Sequence, residues 1–389
     1  MAFVGAIALI LITTLIAGAI SQRLSMPAVI GQLLVGVILG PGILGVLQNT
    51  ELMHVGSEIG VIILMFIAGI ESDLDLLKKY FKPAMNVAMI GVLLPMLVFY
   101  VYGQMMGQSF ERAIFWGVIF AATSVSISVE VLREFGSLNT KEGATILGAA
   151  VVDDIIAVVL LSIFVSTFGV GDASESNLLI STIWQLLYFV GVVIVVKWVT
   201  PILLRIAQRL PVHGSVPIIS LFLCLAMAWL ADAIGLSSVV GAFFAGVAVS
   251  QTKFQDEVSD SVSSVGYTFF IPIFFVSIGL DMEFSGLLTN LGFVIIMTLL
   301  AIATKLFGGA LGAVMTKMNW HSALAIGSGM VSRGEMALII AQIGLSAHLL
   351  AKNLYSEIII VIVLSTIVAP LLLKWTLKRV KKNQPQKTE

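Results

Sequence analysis

Charged residues are scarce in this chain: Asp, Glu, Lys and Arg make up 11% of its 389 residues. Soluble domains carry about 25%, whereas hydrophobic residues reach 59% here. The composition therefore excludes a soluble protein and predicts an all-α protein that crosses the membrane many times. The net charge of −1 gives no indication of a nucleic-acid partner, and we expect none.

Cysteine is nearly absent, because Cys224 is the only one and it lies inside an apolar run. It excludes an intrachain disulfide and a cysteine-based metal site. The four histidines lie near span ends, so no ligand set for a transition metal is present and we expect no cofactor. The N-terminus lacks a basic region before its first apolar stretch, since Arg23 follows it. This order predicts a retained first span and not a cleaved signal peptide.

Apolar stretches separated by polar or Gly- and Pro-containing turns recur along the chain. They predict about thirteen transmembrane helices, the lipid bilayer being the chain's immediate partner. The predicted spans are 3–21, 27–45, 58–72, 84–107, 112–132, 143–168, 178–207, 213–234, 236–251, 262–280, 285–315, 320–346 and 355–376.

Basic residues predict the orientation of these spans. Seventeen Lys and Arg residues fall at alternate span ends, whereas only Arg112 and Lys352 fall at the opposite ends. Because cytoplasmic loops carry the excess of Lys and Arg, the C-terminus is predicted to be cytoplasmic. With thirteen spans the N-terminus then lies outside.

The sequence contains an internal repeat at an offset of 210 residues. Residues 29–37 (VIGQLLVGV) resemble 239–247 (VVGAFFAGV), and 69–74 (GIESDL) resemble 279–284 (GLDMEF) at the same offset. Moving 210 residues moves seven spans, an odd number, so the copy crosses the membrane in the opposite sense. The pattern predicts two inverted-topology six-helix repeats. They are 1–170 (spans 1–6) and 212–378 (spans 8–13), joined by a linker helix in 171–211 and followed by a short cytoplasmic tail, 379–389.

Two adjacent carboxylates, Asp153 and Asp154, lie in the middle of the apolar run 144–165. Each charge at mid-membrane costs roughly 2.5–3.5 kcal/mol on insertion scales, so they must face a cavity, an ion or a counter-charge. Lys305 is equally deep in the eleventh span and is the natural partner of one of them. Consecutive helical residues point ~100° apart, so the other carboxylate is left to face a water-filled cavity.

These three groups predict exchange of a cation for protons. Carboxylate, hydroxyl and backbone oxygens suit a hard alkali cation, and three close ionisable groups titrate as a coupled unit. A cation arriving at a protonated Asp must displace its proton, so a site that faces one side at a time is an antiporter. The alternative for Lys305 is a static salt bridge between two helices, which is compatible with transport.

The fifth span holds 122–128 (ATSVSIS), with four hydroxyls, and its repeat mate contains 332–337 (SRGEMA). Both segments are predicted to be places where a helix opens at membrane depth, and Ser124 maps to Gly334. Arg333 and Glu335 are two residues apart and do not share a helix face. We expect them to serve opened backbone ends or neighbouring helices.

Together, 122–124 (ATS), 148–154 (GAAVVDD), Lys305 with 308–309 (GG), and 332–335 (SRGE) resemble the NapA-type bacterial Na⁺/H⁺ antiporters of the second cation:proton antiporter family. The resemblance covers nearly the whole chain. It implies a thirteen-helix inverted repeat with a dimerisation domain and a core domain, working as an elevator in a homodimer in the bacterial inner membrane. The fifth and twelfth spans would be its crossing, partly unwound helices.

The resemblance also assigns roles to residues. Asp154 would be the main cation-binding and proton-exchanging carboxylate, and Asp153 the partner of Lys305. Thr123 and Ser124 would mark the unwound crossing and complete a Na⁺ site with the two carboxylates, beside Gly334 and Arg333, and Glu335 would support it. Members with this charge set resemble electrogenic exchangers. The choice among Na⁺, Li⁺ and K⁺ stays open.

Two other classes compete with an antiporter. A channel or uniporter could use the same charges as a selectivity ring, but an inverted repeat and a neutralisable Asp–Lys group argue against it. An intramembrane aspartyl protease needs two aspartates that face each other. Asp153 and Asp154 are neighbours that diverge, and no second mid-span Asp exists, so we expect no enzyme.

Overall fold

The computed structural model describes residues 2–24, 26–48, 50–168, 178–212, 214–280 and 290–383, and all regular secondary structure in this part of the chain is helical. Its helices are α1 (Ala2–Arg23), α2 (Ala28–Leu39), α3 (Glu51–Glu71), α4 (Leu74–Lys79), α5 (Phe81–Met105), α6 (Phe110–Ala121), α7 (Val125–Glu134), α8 (Lys141–Phe168), α9 (Leu178–Ile194), α10 (Thr200–Ala207), α11 (Ser215–Ala233), α12 (Ser238–Ser250), α13 (Gln255–Val265), α14 (Ile271–Leu280), α15 (Leu291–Met315), α16 (Trp320–Gly329), α17 (Glu335–Ser346) and α18 (Lys352–Asn383), with π-helical turns at Val195–Val199 and Gly266–Phe270.

Each predicted span corresponds to one helix, to consecutive helices, or to a broken pair. The all-helical prediction is therefore confirmed, as are the breaks in the fifth and twelfth spans, which separate α6 from α7 and α16 from α17. Two predicted starts were wrong, because the third span begins at Glu51 and the tenth at Gln255. Their first turns are too polar for an apolar window, yet they are helical because one face is buried through Met53, Val258 and Val262.

The helices fall into two compact units. One includes α3 and α9 to α13. The other includes α2, α5 to α8 and α15 to α18, and it contains all the candidate site residues. Each unit contains helices from both halves of the sequence. The two units are therefore not the two predicted repeats, and the repeat boundaries at 170 and 211 stay a prediction.

The 210-residue offset is visible in helix bounds and caps. Helix α5 spans Phe81–Met105 and α15 spans Leu291–Met315, the same bounds shifted by 210. Ser109 caps α6 by accepting from the backbone N–H of Arg112, and Asn319 caps α16 by accepting from that of Ser322. Different side chains therefore perform the same capping at equivalent positions.

Glycine contacts repeat at the same offset, once in each unit. A Cβ at Gly69 on α3 would overlap the carbonyl oxygen of Phe243 on α12. A Cβ at Gly279 on α14 would overlap the carbonyl oxygen of Leu33 on α2. Only glycine permits backbones to approach this closely, so the two helix crossings are the same structure built twice.

Helix α5 brings the charged helices together. Gly148 on α8 packs against Ala84, where a Cβ would lie 2.9 Å from the alanine Cβ. Gly312 on α15 packs against the backbone of Asn86, where a Cβ would lie 2.6 Å from the carbonyl oxygen. Because α8 and α15 both dock closely on α5, side chains at their midpoints can meet.

Candidate ion-binding site

Two helix breaks cross in the second unit. Helix α6 ends at Ala121 and α7 begins at Val125, while α16 ends at Gly329 and α17 begins at Glu335. At the crossing the backbone N–H of Ser124 donates to the Ser332 carbonyl at 2.8 Å, and the Ser332 hydroxyl donates to the Ser124 carbonyl, also at 2.8 Å. Each break thus satisfies backbone polar groups that the other break leaves unpaired. This pairing is needed because the lipid interior offers no hydrogen-bond partner.

Two further hydroxyls, one from α7 and one from the break before it, contact the end of α16. The buried Ser128 hydroxyl donates to the Gly329 carbonyl at 2.5 Å and lies 3.1 Å from the Ser332 hydroxyl. The Thr123 hydroxyl lies 3.5 Å from the Met330 carbonyl, a long contact. The carbonyls at the C-terminal end of α16 are therefore satisfied by side chains of the other broken helix.

Gly334 lies directly against Ser124 of the other break. A Cβ at this position would lie 2.7 Å from the Ser124 hydroxyl oxygen and 2.9 Å from the Ser124 Cβ. Ser124 and Gly334, which are equivalent positions at the 210-residue offset, therefore lie against each other in the structure. Any side chain at 334 would push the crossing apart.

Arg333 is fully buried directly beside the crossing. Its Nη2 donates to the carbonyls of Phe120 at 3.0 Å and Ala301 at 2.9 Å, and its Nη1 donates to the Val331 carbonyl at 3.1 Å. The guanidinium also lies 5.4 Å from the ring centroid of Phe120. This side chain satisfies backbone oxygens of α15, of α6 near its end, and of the break itself.

Asp153 and Lys305 form an ion pair away from water. The Lys305 Nζ lies 3.2 Å from each carboxylate oxygen of Asp153, and both residues are 0% exposed. Of the two aspartates that sequence offered as partners, Asp153 is the one that binds the lysine. A buried pair of this kind is costly to break, because removing one partner strands the other charge.

Asp154 lies one residue further along α8 and is 6% exposed. Its charge acts on Lys305, and the Thr123 hydroxyl lies within hydrogen-bonding reach of Asp153. Arg333 acts electrostatically on both Asp153 and Lys305. The structure therefore gathers two carboxylates and two cations around the crossing, with a formal charge sum of zero.

Some expected site features lie outside what the structure describes. The backbone of Glu335 begins α17, but its side chain is not among the described residues. Among the residues that are described, no cluster of three or more His, Cys, Asp or Glu side chains has the arrangement of a metal-binding site.

Sequence reasoning missed several buried polar contacts around the site. The Thr366 hydroxyl on α18 accepts from the Arg333 backbone N–H at 3.2 Å, which ties the break to a neighbouring helix. Glu142, 1% exposed in the first turn of α8, accepts from the Ser322 hydroxyl at 2.6 Å. Only the tertiary packing shows that this residue, which lies near a span end, is buried.

Two broken helices crossing beside a buried Asp–Lys pair define an ion-coupled secondary transporter of the inverted-repeat class. The family model described as "Sodium/hydrogen exchanger, transmembrane" matches residues 10–379. The chain belongs to that sodium/hydrogen exchanger family, as the sequence motifs had indicated.

Relatives with similar sequences are named as antiporters. The chain is 51% identical over 387 residues to the Na⁺/H⁺ antiporter of Enterococcus hirae, covering 98% of this chain and 100% of that protein. It is 42% identical to the Na⁺/H⁺-K⁺ antiporter GerN of Bacillus cereus, covering 95% of each. Both relatives match nearly the whole of this chain.

Solved structures share the fold at lower identity. The sodium proton antiporter MjNhaP1 of Methanocaldococcus jannaschii at pH 8 matches with a TM-score of 0.72 and 19% identity, over 97% of this chain and 99% of that chain. An electron-microscopy structure of the same antiporter gives a TM-score of 0.74 at 18% identity. At this identity the likeness supports the fold alone.

Proposed function

We propose that this protein exchanges a monovalent cation, Na⁺ first of all, for protons, and that Asp154 and Asp153 bind the cation and the protons in turn. The observation that carries the proposal is the fully buried pair in which Lys305 contacts both oxygens of Asp153, with Asp154 beside it. The charges lie where two broken helices cross, away from the span ends.

Charge balance connects the cation to the proton. The four charged side chains sum to zero, and a bare cation entering this buried cluster adds one positive charge. Leaving that charge uncompensated in a poorly solvated site is costly. When all four side chains are charged, release of a proton from the Asp153–Lys305 pair restores the balance. When Asp154 is protonated, the four side chains sum to +1, and release of that proton as the cation binds keeps the sum unchanged. Cation binding and proton binding therefore compete.

The oxygen ligands fit a hard alkali cation. The Thr123 hydroxyl interacts with the Asp153 carboxylate, and Asp154 is the next residue on α8. The Ser124 backbone N–H and carbonyl are both engaged by Ser332, so we assign only its hydroxyl to the site. Gly334 and Arg333 shape and hold the crossing, and the role of Glu335 stays a prediction.

Na⁺ is proposed because relatives at 51% and 42% identity carry it in their names. The name of GerN also includes K⁺, which makes K⁺/H⁺ exchange the second candidate. An uncoupled channel or uniporter is the remaining alternative. Asp153 and Asp154 are consecutive on one helix, so we propose transport and not catalysis.

The decisive experiment measures Na⁺-induced pH change in everted vesicles with a ΔpH-sensitive dye. We expect wild type to dequench the dye and Asp154→Asn to abolish the response, because Asn can neither lose nor gain the proton. Asp232→Asn, an exposed position on α11, is the matched control and keeps full activity. Repeating the assay with K⁺ and Li⁺ establishes selectivity.

Three outcomes separate the alternatives. No proton movement with any monovalent cation overturns antiport. A cation current without pH change favours the channel. Full activity in Asp154→Asn places the exchange site elsewhere, with Asp153 the next position to test.

We further propose that more than one H⁺ moves for each Na⁺, because both an Asp and the Asp–Lys pair can release a proton. Exchange in proteoliposomes should then respond to an imposed membrane potential. A rate indifferent to the potential contradicts this coupling.

The remaining proposals concern assembly and orientation. We propose a homodimer working as an elevator in the bacterial inner membrane, with the C-terminus cytoplasmic and the N-terminus outside. The basic residues at alternate span ends support the orientation. A single cysteine introduced by Lys382→Cys in a Cys224→Ser background should react with a membrane-impermeant maleimide in everted vesicles but not in intact cells.

A further inference from the structure

Helix α18 ends in a stripe of positive charge. Lys374, Lys378 and Lys382 recur every four residues, and Lys378 and Lys382 are exposed. No acidic residue occurs anywhere in the sequence from 358 to 388. Glu134, at the end of α7, offsets part of the charge at Lys374. Like charges at this spacing repel one another along a helix face, so the exposed Lys378 and Lys382 attract an anion from outside the segment.

The side chain of Trp375 indicates the level of the basic stripe in the membrane. Trp375 is 50% exposed and lies one turn before Arg379, whose guanidinium carbon is 3.5 Å from the indole centroid. Tryptophan is enriched at the level of lipid headgroups. Because Trp375 follows the long apolar part of α18, the cations just beyond it lie at the headgroup surface.

The same helix end holds the broken helix of the ion site. The Lys381 Nζ donates to the carbonyl of Phe135 at 2.7 Å, and the Lys374 ammonium lies 5.5 Å from the centroid of the Phe135 ring. Phe135 is the C-terminal cap of α7, which begins at the 122–124 break. Charge on α18 is therefore in direct contact with the far end of a helix that forms the crossing.

We propose that the basic end of α18, formed by Lys378, Arg379 and Lys382, binds the headgroup of an anionic phospholipid. The phosphate neutralises the repulsion along the stripe, the acyl chains lie against the exposed side chains of Leu371 and Trp375, and Lys381 remains bound to Phe135. The proposal concerns lipid binding and does not depend on which ion the protein transports.

The test uses the purified full chain in a neutral detergent, titrated with phosphatidylglycerol or with phosphatidylcholine and followed by native mass spectrometry. Wild type should retain phosphatidylglycerol in preference to phosphatidylcholine. Lys378→Gln with Lys382→Gln should weaken phosphatidylglycerol binding roughly 25-fold, since each surface lysine contributes about fivefold. Both residues are exposed, so the double variant is expected to fold.

Arg205→Gln with Arg209→Gln removes the same charge from exposed positions around the end of α10 and should leave binding unchanged. Equal phosphatidylglycerol binding by wild type and the α18 double variant overturns the proposal. Equal loss in the α10 control also overturns it, because the effect would then follow net charge. Displacement of the lipid by glycerol phosphate at equal concentration would show a free-anion site in place of a lipid site.

Discussion

Replacement of Lys305 by methionine tests the energetics of the buried pair. Methionine has nearly the length of lysine but no charge, so Lys305→Met leaves Asp153 buried without its cation. At 3.2 Å from each oxygen, the attraction amounts to about 5 kcal/mol for an effective dielectric constant of about 20. Breaking one side of a buried pair costs roughly 3–5 kcal/mol, and we expect Lys305→Met to lose a stabilisation of that size.

The double variant Lys305→Met with Asp153→Asn removes both charges and should recover most of the loss, because no charge is then stranded. The measurement is the thermal midpoint of purified protein, followed by loss of monodisperse protein on size-exclusion chromatography, in all four members of the cycle. If the double variant is as unstable as Lys305→Met, the lysine stabilises the protein through packing and the ion-pair account is refuted.

Three further predictions concern the crossing. Gly334→Ala should lower both thermal stability and exchange activity, because its Cβ would lie 2.7 Å from the Ser124 hydroxyl oxygen, whereas Gly292→Ala, with open space around it, should be neutral. Ser128→Ala should destabilise by about 1–3 kcal/mol by leaving the Gly329 carbonyl unsatisfied, whereas Ser328→Ala, whose hydroxyl bonds within its own helix, should cost less in the same thermal assay. Arg333→Lys keeps the charge, but the lysine cannot reach the carbonyls of Phe120, Ala301 and Val331 together. Thermal stability should therefore fall although the charge balance is unchanged. Wild-type stability in this variant would contradict the role assigned to the guanidinium.

Much of this fold could be predicted because a membrane limits the structures that a spanning segment can adopt. Long apolar stretches must be helical, since lipid offers no partner for exposed backbone groups. The hydroxyl segment 122–128 and the glycine at 334 marked the breaks, because these residue types satisfy or permit opened backbone. Where apolar content was the only criterion, as at 51–57 and 255–261, amphipathic turns were missed.

The site could be predicted only in part. Sequence alone could identify Asp153, Asp154 and Lys305, because a charge at mid-span is costly unless it faces a cavity, an ion or a counter-charge. The residues alone did not decide which aspartate binds Lys305, because this depends on how α8 and α15 dock on α5 through Gly148 and Gly312. The family resemblance indicated Asp153, and the structure shows that contact. The partners of Arg333 were equally hidden, since two of them are backbone carbonyls of other helices and carry no side-chain signature.

The repeat explains why the charges stand out. Equivalent glycines build equivalent crossings, as Gly69 does with Phe243 and Gly279 with Leu33, so the frame is close to symmetric. The charges are not symmetric: Asp153, Asp154, Lys305 and Arg333 map at the 210-residue offset to Val363, Leu364, Pro95 and Thr123. A symmetric frame has two equivalent places for a charged cluster, and only one of them holds it. Tight backbone contacts therefore determine the geometry, and the departures from symmetry determine where a cation binds.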